Sequence, residues 1–234
     1  MESRLLVDIG LGAYEIDDLL DEPECAFLTD LIEQYARGDW GEPRSIQTMI
    51  VRHDETVVAA LQRCEQVHSI TLTDLLQRVC DRLRKALPAL CADTVLLERD
   101  NDSVQARFRE LGNLLTISRH PGPHRGLSLH RDLCYSEDLT SNDLCPCKLA
   151  INLSHTPIGT AFYADGNRKK QALLAQSSGK RGSAVLFDLK AWHSGTAVVA
   201  NECKLMLGVR LLFEPVNGDG SEVDEAETAD CSNL

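Results

Sequence analysis

The sequence predicts a β-rich α+β fold, a jelly-roll core with N-terminal helices packed on one of its sheets, and three observations predict it. Residues before about position 104 carry apolar side chains at helical spacing. Those from there to Pro215 fall into short alternating runs between turn residues, and those after Pro215 are acidic and poor in large apolar groups. Around eight short strands in roughly 110 residues suit a sandwich or jelly-roll barrel better than a parallel α/β sheet. A chain of 234 residues can bury one substantial core, and a second would be cramped. One domain is therefore expected over 1–215, with 1–103 as mainly helical support, 104–215 as the jelly-roll core, and 216–234 as a disordered acidic tail.

In chain order, Met1 to Tyr14 and Ser45 to Val51 suit short strands. "DEPECAFLTDLIEQYARG" reads as a helix, with Asp21 as N-cap, Glu24 three residues on, Pro23 in the first turn and Gly38 at the end. Its apolar residues Phe27, Leu28, Leu31, Ile32 and Tyr35 form one stripe, so the helix must lie on something. Two more helices are expected from about Asp54 to Val67 and about Thr71 to Leu87, the second stopped by Pro88. The strand candidates that follow are "VQARFREL", "NLLTISRH", "GLSLHRDL", "CKLAINLSH", "TAFYADG", "ALLAQS", "GSAVLFDL", "GTAVVA" and "CKLMLGVRLLFEP".

Composition narrows the function. A net charge of -12 disfavours a partner bound by phosphate neutralisation, which needs a clustered basic footprint, so no nucleic acid is expected. No apolar run approaches the roughly 18 residues of a membrane span, and none at the N-terminus resembles a signal peptide. A cytoplasmic protein without a membrane partner is expected. The nine cysteines, an odd number scattered through helical and strand segments, read as reduced thiols. Cys145 and Cys147 in "CPC" lack the paired spacing of structural zinc sites.

"SLHRDLCYSED" contains HRDL, a word found in the catalytic loop of protein kinases. That loop needs an Asn where this chain has Glu137, and the glycine-rich, V-A-I-K and D-F-G segments are missing. What remains is His-x-Asp. Strand alternation puts Ser128, His130 and Asp132 on one face and Leu127, Leu129 and Arg131 on the other. His130 and Asp132 can thus grip one ion, and His193 in "FDLKAWHSG" is the candidate third ligand. Two His and one carboxylate form the facial set of non-haem Fe(II) oxygenases, with positions left open for reactants. In "CKLMLGVRLLFEP", Leu205, Leu207, Val209 and Leu211 share one face, and Lys204, Met206, Gly208 and Arg210 the other. If that second face is interior, a cation there needs an anion.

Taken together, "LLTISRHPGPHRGLSLHRD", "KLAINLS", "GSAVLFDLKAWHSGTAVV" and "KLMLGVRLLF" resemble the Fe(II)- and 2-oxoglutarate-dependent dioxygenases, nearest to their prolyl-hydroxylase-like branch. The resemblance spans roughly Leu114 to Phe213, and "YEIDDLLDEPECAFLTDLIE" is similar to the helix preceding the core there. It implies a double-stranded β-helix, cupin-like, with His130, Asp132 and His193 as iron ligands. It implies Lys204, or else Arg210, as the cation for the distal carboxylate of 2-oxoglutarate. Departures occur at His120, where the family has Tyr before the Pro-Gly turn, at "VVANECK", which lacks the usual Gly, and at "IGTAF", which lacks a Gly-Gly pair. These departures bear on the implied cosubstrate contacts more than on the implied metal contacts.

The implied activity is O2-dependent hydroxylation, or another oxidation, of an unactivated C–H bond, with 2-oxoglutarate converted to succinate and CO2. A carboxylate at Asp132 argues against the halogenase variant, which has a small residue there. A small molecule such as an amino acid or biosynthetic intermediate is the expected substrate. The alternatives are a protein side chain, or a jelly-roll metal-binding module without turnover. Arg119, Arg125, Trp192, Tyr135, His120 and His124 surround the motifs as weaker pocket candidates. Oligomeric state is not encoded legibly.

Overall fold

The computed structural model describes residues 2–8, 12–39, 47–50, 55–88, 93–95, 115–123, 125–132, 145–164 and 172–214. The elements in order are β1 (Ser3–Val7), β2 (Ala13–Ile16), α1 (Glu22–Asp39), β3 (Gln47–Ile50), α2 (Glu55–His68), α3 (Leu72–Ala86) and β4 (Asp93–Val95). They continue with β5 (Leu115–Pro121), β6 (Cys145–Asn152), β7 (Thr160–Tyr163), β8 (Leu173–Gln176), β9 (Ala184–Asp188), β10 (Trp192–Gly195) and β11 (Cys203–Glu214).

The three helices form where their caps and stripes place them. At α1 the Asp21 carboxylate accepts from the Glu24 N–H at 3.0 Å, and the Glu24 carboxylate accepts from the Asp21 N–H at 3.1 Å. This reciprocal box satisfies two orphan donors. Glu24 is buried and also takes Arg78 Nε at 2.9 Å and the Arg82 guanidinium, which ties α1 to α3. Thr71 caps α3 by accepting from the Asp74 N–H.

The strands make two antiparallel sheets. The larger runs β1-β2-β9-β6-β11-β5-β3, with β4 on the far part of β11, and the smaller runs β10-β7-β8. After β6 the chain crosses to the smaller sheet for β7 and β8, returns for β9, crosses for β10 and returns for β11. That path makes a jelly-roll type of barrel. Period-two alternation then sorts the side chains. Leu149, Ile151, Leu186, Leu205, Leu207 and Val209 turn outward into one core with α1, α2 and α3. Ala150, Val185, Phe187 and Met206 turn inward and meet Phe162 between the sheets. The expected faces of β11 are thus observed from Lys204 to Val209, and each fully buried leucine on the helix side contributes about 1.5–3 kcal/mol.

Three expectations change. "GLSLHRDL" is not a ladder strand: residues 125–132 make one isolated bridge, His130 with His193. Gly126, at a left-handed φ of +91°, departs from extended backbone while lying against Gly195, and the backbone bridge to β10 is made at His130. "GTAVVA" contributes only its Gly195 to β10, because the chain folds away there, with the Thr196 hydroxyl donating to the Gly159 carbonyl at 2.9 Å. β4 lies in the segment expected to be helical. "VQARFREL" and residues 216–234 lie outside the described residues.

Candidate metal centre

The site is built on a backbone pairing. The His130 N–H donates to the His193 carbonyl and the His193 N–H to the His130 carbonyl, both at 3.0 Å, and the Asp132 N–H donates to the Leu189 carbonyl at 3.2 Å. A Cβ on Gly126 would stand 2.0 Å from the Gly195 carbonyl oxygen, so glycine is what lets this segment lie against β10. Directly opposed residues share a face. His193 opposes both His130 and Phe162, and the three rings gather inside the barrel with Phe187.

His130, Asp132 and His193 present one ligand atom each, all within 4.8 Å of one another. Asp132 Oδ1 lies 3.5 Å from His130 Nε2 and 3.7 Å from His193 Nε2. The other nitrogens are committed. His130 Nδ1 stands 2.7 Å from the Ser128 carbonyl and His193 Nδ1 2.9 Å from the Ala191 carbonyl. A carbonyl only accepts, so each Nδ1 carries a proton, and each Nε2, when unprotonated, offers a lone pair inward. Two imidazole lone pairs and a carboxylate oxygen converging on one point repel unless a cation lies between them. The donor set therefore fits a divalent metal such as iron.

Charge at the site is set by one lysine that the motif reading passed over. Lys148 Nζ lies 2.7 Å from Asp132 Oδ2, with both side chains largely buried. Burial opposes ionisation of Asp132, but the hydrogen bond with His130 and the Lys148 cation outweigh it and hold the carboxyl well below the usual carboxylate range. The same hydrogen bond raises the pKa of His130 against burial. Burial pushes His193 down to about 4, so it stays neutral. The signal for Lys148 was present in "CKLAINLS": Lys148, Ala150 and Asn152 alternate with Cys147, Leu149 and Ile151, the parity argument that placed Lys204.

Lys204 is buried inside the barrel, its Nζ donating to the Gly159 carbonyl at 2.7 Å. Burial, and then the charge of Lys148, lower its pKa to about 8. Asn152, Thr160 and Ser177 line a cavity of about 10 Å³ beside it, room for one water. Arg210 stands opposite Lys148 in the β11–β6 register, and its side chain lies outside the described residues. Arg131 points away from the ligands, its guanidinium carbon 4.3 Å from the centroid of Trp192. His120 is buried on β5, opposite Lys204. Arg125 is exposed, and Tyr135, His124 and Cys134 lie outside the described residues. Cys25, Cys64, Cys80, Cys147 and Cys203 are free thiols. Among the described residues, no helix is long and apolar enough to cross a membrane.

No protein-family model matches the sequence, and no curated protein matches it. Among solved structures, the chain is similar to the non-haem alpha-ketoglutarate-dependent epimerase SnoN of nogalamycin biosynthesis. The TM-score is 0.50 at 12% identity, over 90% of this chain and 86% of that one. A Trichoplax adhaerens prolyl hydroxylase solved with a hypoxia-inducible-factor peptide gives 0.44 at 13%, over 87% and 84%. A Pseudomonas putida prolyl-4-hydroxylase gives 0.40 at 14%, over 88% and 93%. The latter two are too distant to argue from. At such identity the first bears on architecture alone: the chain shares the fold of that epimerase.

Proposed function

We propose that the chain is a non-haem Fe(II)- and 2-oxoglutarate-dependent dioxygenase that hydroxylates or otherwise oxidises an unactivated C–H bond of a small molecule. The carrying observation is the convergence of His130 Nε2, His193 Nε2 and Asp132 Oδ1, with both Nδ1 atoms tied to backbone carbonyls. In this reading residues 1–215 form one domain around a double-stranded β-helix, of the prolyl-hydroxylase-like branch. Fe(II), if held by these three ligands, would activate O2 for oxidation of a C–H bond, while 2-oxoglutarate would be split to succinate and CO2.

The chain's own part is to bind and orient. His130, Asp132 and His193 hold the metal on one side and leave the other side open. Lys148 fixes Asp132 through Oδ2, which leaves Oδ1 for the metal. Lys204 receives the distal carboxylate of 2-oxoglutarate: a cation buried with a single carbonyl partner is a costly arrangement that an anion relieves. Phe162 and Phe187 shield the His193 side of the site from water.

Succinate formation tests the reading. Purified protein with Fe(II), 2-oxoglutarate and O2 is expected to release succinate, faster with a substrate present. Asp132→Ala is expected to abolish the release, and an unaltered rate in that variant would sink the ligand assignment.

A further inference from the structure

A cavity of about 280 Å³ is walled by Val7 and Ala13 of the β1–β2 hairpin, by Phe162 and Tyr163 of β7, and by Arg131 and Trp192, sequence neighbours of the candidate metal ligands, which do not themselves line it. Three of these residues are structurally bound to the site. Arg131 stands between the ligands His130 and Asp132, Trp192 precedes His193, and Phe162 opposes His193 across the strands with ring centroids 6.3 Å apart. Whatever occupies the cavity therefore touches the wall that carries the metal ligands.

We propose that this cavity is a substrate site for a flat ring bearing a carboxylate or like anion, with Arg131 as the residue that takes the anion. The inference rests on the oxygenase reading only for the word substrate; the ligand class follows from the walls. Tyr163 and Trp192 supply aromatic surface that favours a ring by stacking or edge contact, above the fully buried Phe162. The guanidinium carbon of Arg131 lies 4.3 Å from the Trp192 ring centroid, a cation–π contact that keeps at this wall a forked donor able to meet a carboxylate through two hydrogen bonds. Among the described residues no carboxylate pairs with it. The rim also carries Asp188, whose carboxylate accepts from the Lys190 N–H at 2.8 Å.

Size points the same way. Drug-sized ligands occupy pockets of about 300–1,000 Å³. At about 280 Å³ the cavity suits one ring with a short acid arm and is too small for a peptide segment.

The test is a ligand-detected NMR titration of the metal-free full chain with phenylacetate, with 2-phenylethanol as the uncharged control. Phenylacetate is expected to bind saturably and at least 10-fold more tightly than the alcohol. Arg131→Gln is expected to remove that difference, and Arg131→Lys, which keeps the charge without the fork, to keep part of it. Equal binding of acid and alcohol, no saturable binding of the acid, or an unchanged affinity in folded Arg131→Gln would overturn the proposal. Loading the same wild-type preparation anaerobically with Fe(II) and 2-oxoglutarate separates the two readings. A chelate spectrum without phenylacetate binding overturns the ligand class alone, and binding without the spectrum supports the ligand class and overturns the oxygenase reading alone.

Discussion

Lys148 Nζ sits 2.7 Å from Asp132 Oδ2, and this largely buried pair decides which carboxylate oxygen faces His130 and His193. The lysine comes from the centre of the large sheet and the aspartate from an irregular segment, so the pair also anchors that segment to the barrel.

Removing the lysine leaves a buried carboxylate without its cation. Breaking such a pair from one side costs about 3–5 kcal/mol. Lys148→Met is expected to lower the stability of the metal-free protein by about that amount. A divalent ion replaces the missing charge, so Co(II) should raise the melting temperature more in the variant than in the wild type. Equal increments in a thermal melt series would contradict the role given to Lys148.

Gly126 tests the backbone pairing without touching a ligand. Its φ of +91° and the 2.0 Å approach that a Cβ would make to the Gly195 carbonyl oxygen leave no room for alanine. Gly126→Ala is expected to destabilise the fold by more than about 1 kcal/mol and to weaken Co(II) binding at least 10-fold. A folded variant with wild-type metal affinity would show that the His130–His193 bridge does not set the site.

The sequence made the alternations legible and the irregular backbone illegible. Leu205, Leu207 and Val209 face the helices and Met206 the barrel, as period two requires, and the Asp21–Glu24 box forms as spaced. Those features depend on neighbours a few residues apart. The pairing of His130 with His193 depends on a glycine at positive φ, whose conformation a residue letter does not specify. Parity could place Lys148 on the inward face, but its partner was hidden: Asp132 is remote in sequence and lies on an irregular segment, so the pair leaves no local spacing. Arg78 and Arg82, which meet Glu24 from another helix, were hidden likewise.

Lys204 trades stability for binding. Its pKa lies near 8 in the folded chain against an ordinary 10.5, because burial penalises the charge. Between those values the unfolded chain holds a proton that the folded chain has released, so stability rises with pH from about 8 to 10.5; below 8 the full penalty is present. The depression corresponds to about 3 kcal/mol. Lys204→Met is therefore expected to stabilise the ligand-free protein at pH 7, to flatten this alkaline rise, and to raise the 2-oxoglutarate concentration needed for half-maximal succinate release at least 10-fold. Chemical denaturation from pH 7 to 10.5, beside a cosubstrate titration, checks both halves.

The most direct measurement is the visible spectrum of anaerobic protein reconstituted with Fe(II) and then 2-oxoglutarate. A charge-transfer band is expected to appear only when both are present, to saturate at one equivalent of iron, and to be lost in His193→Ala. Folded, iron-loaded protein that develops no band with 2-oxoglutarate would contradict the assignment of His130, Asp132 and His193 to a 2-oxoglutarate-dependent iron centre.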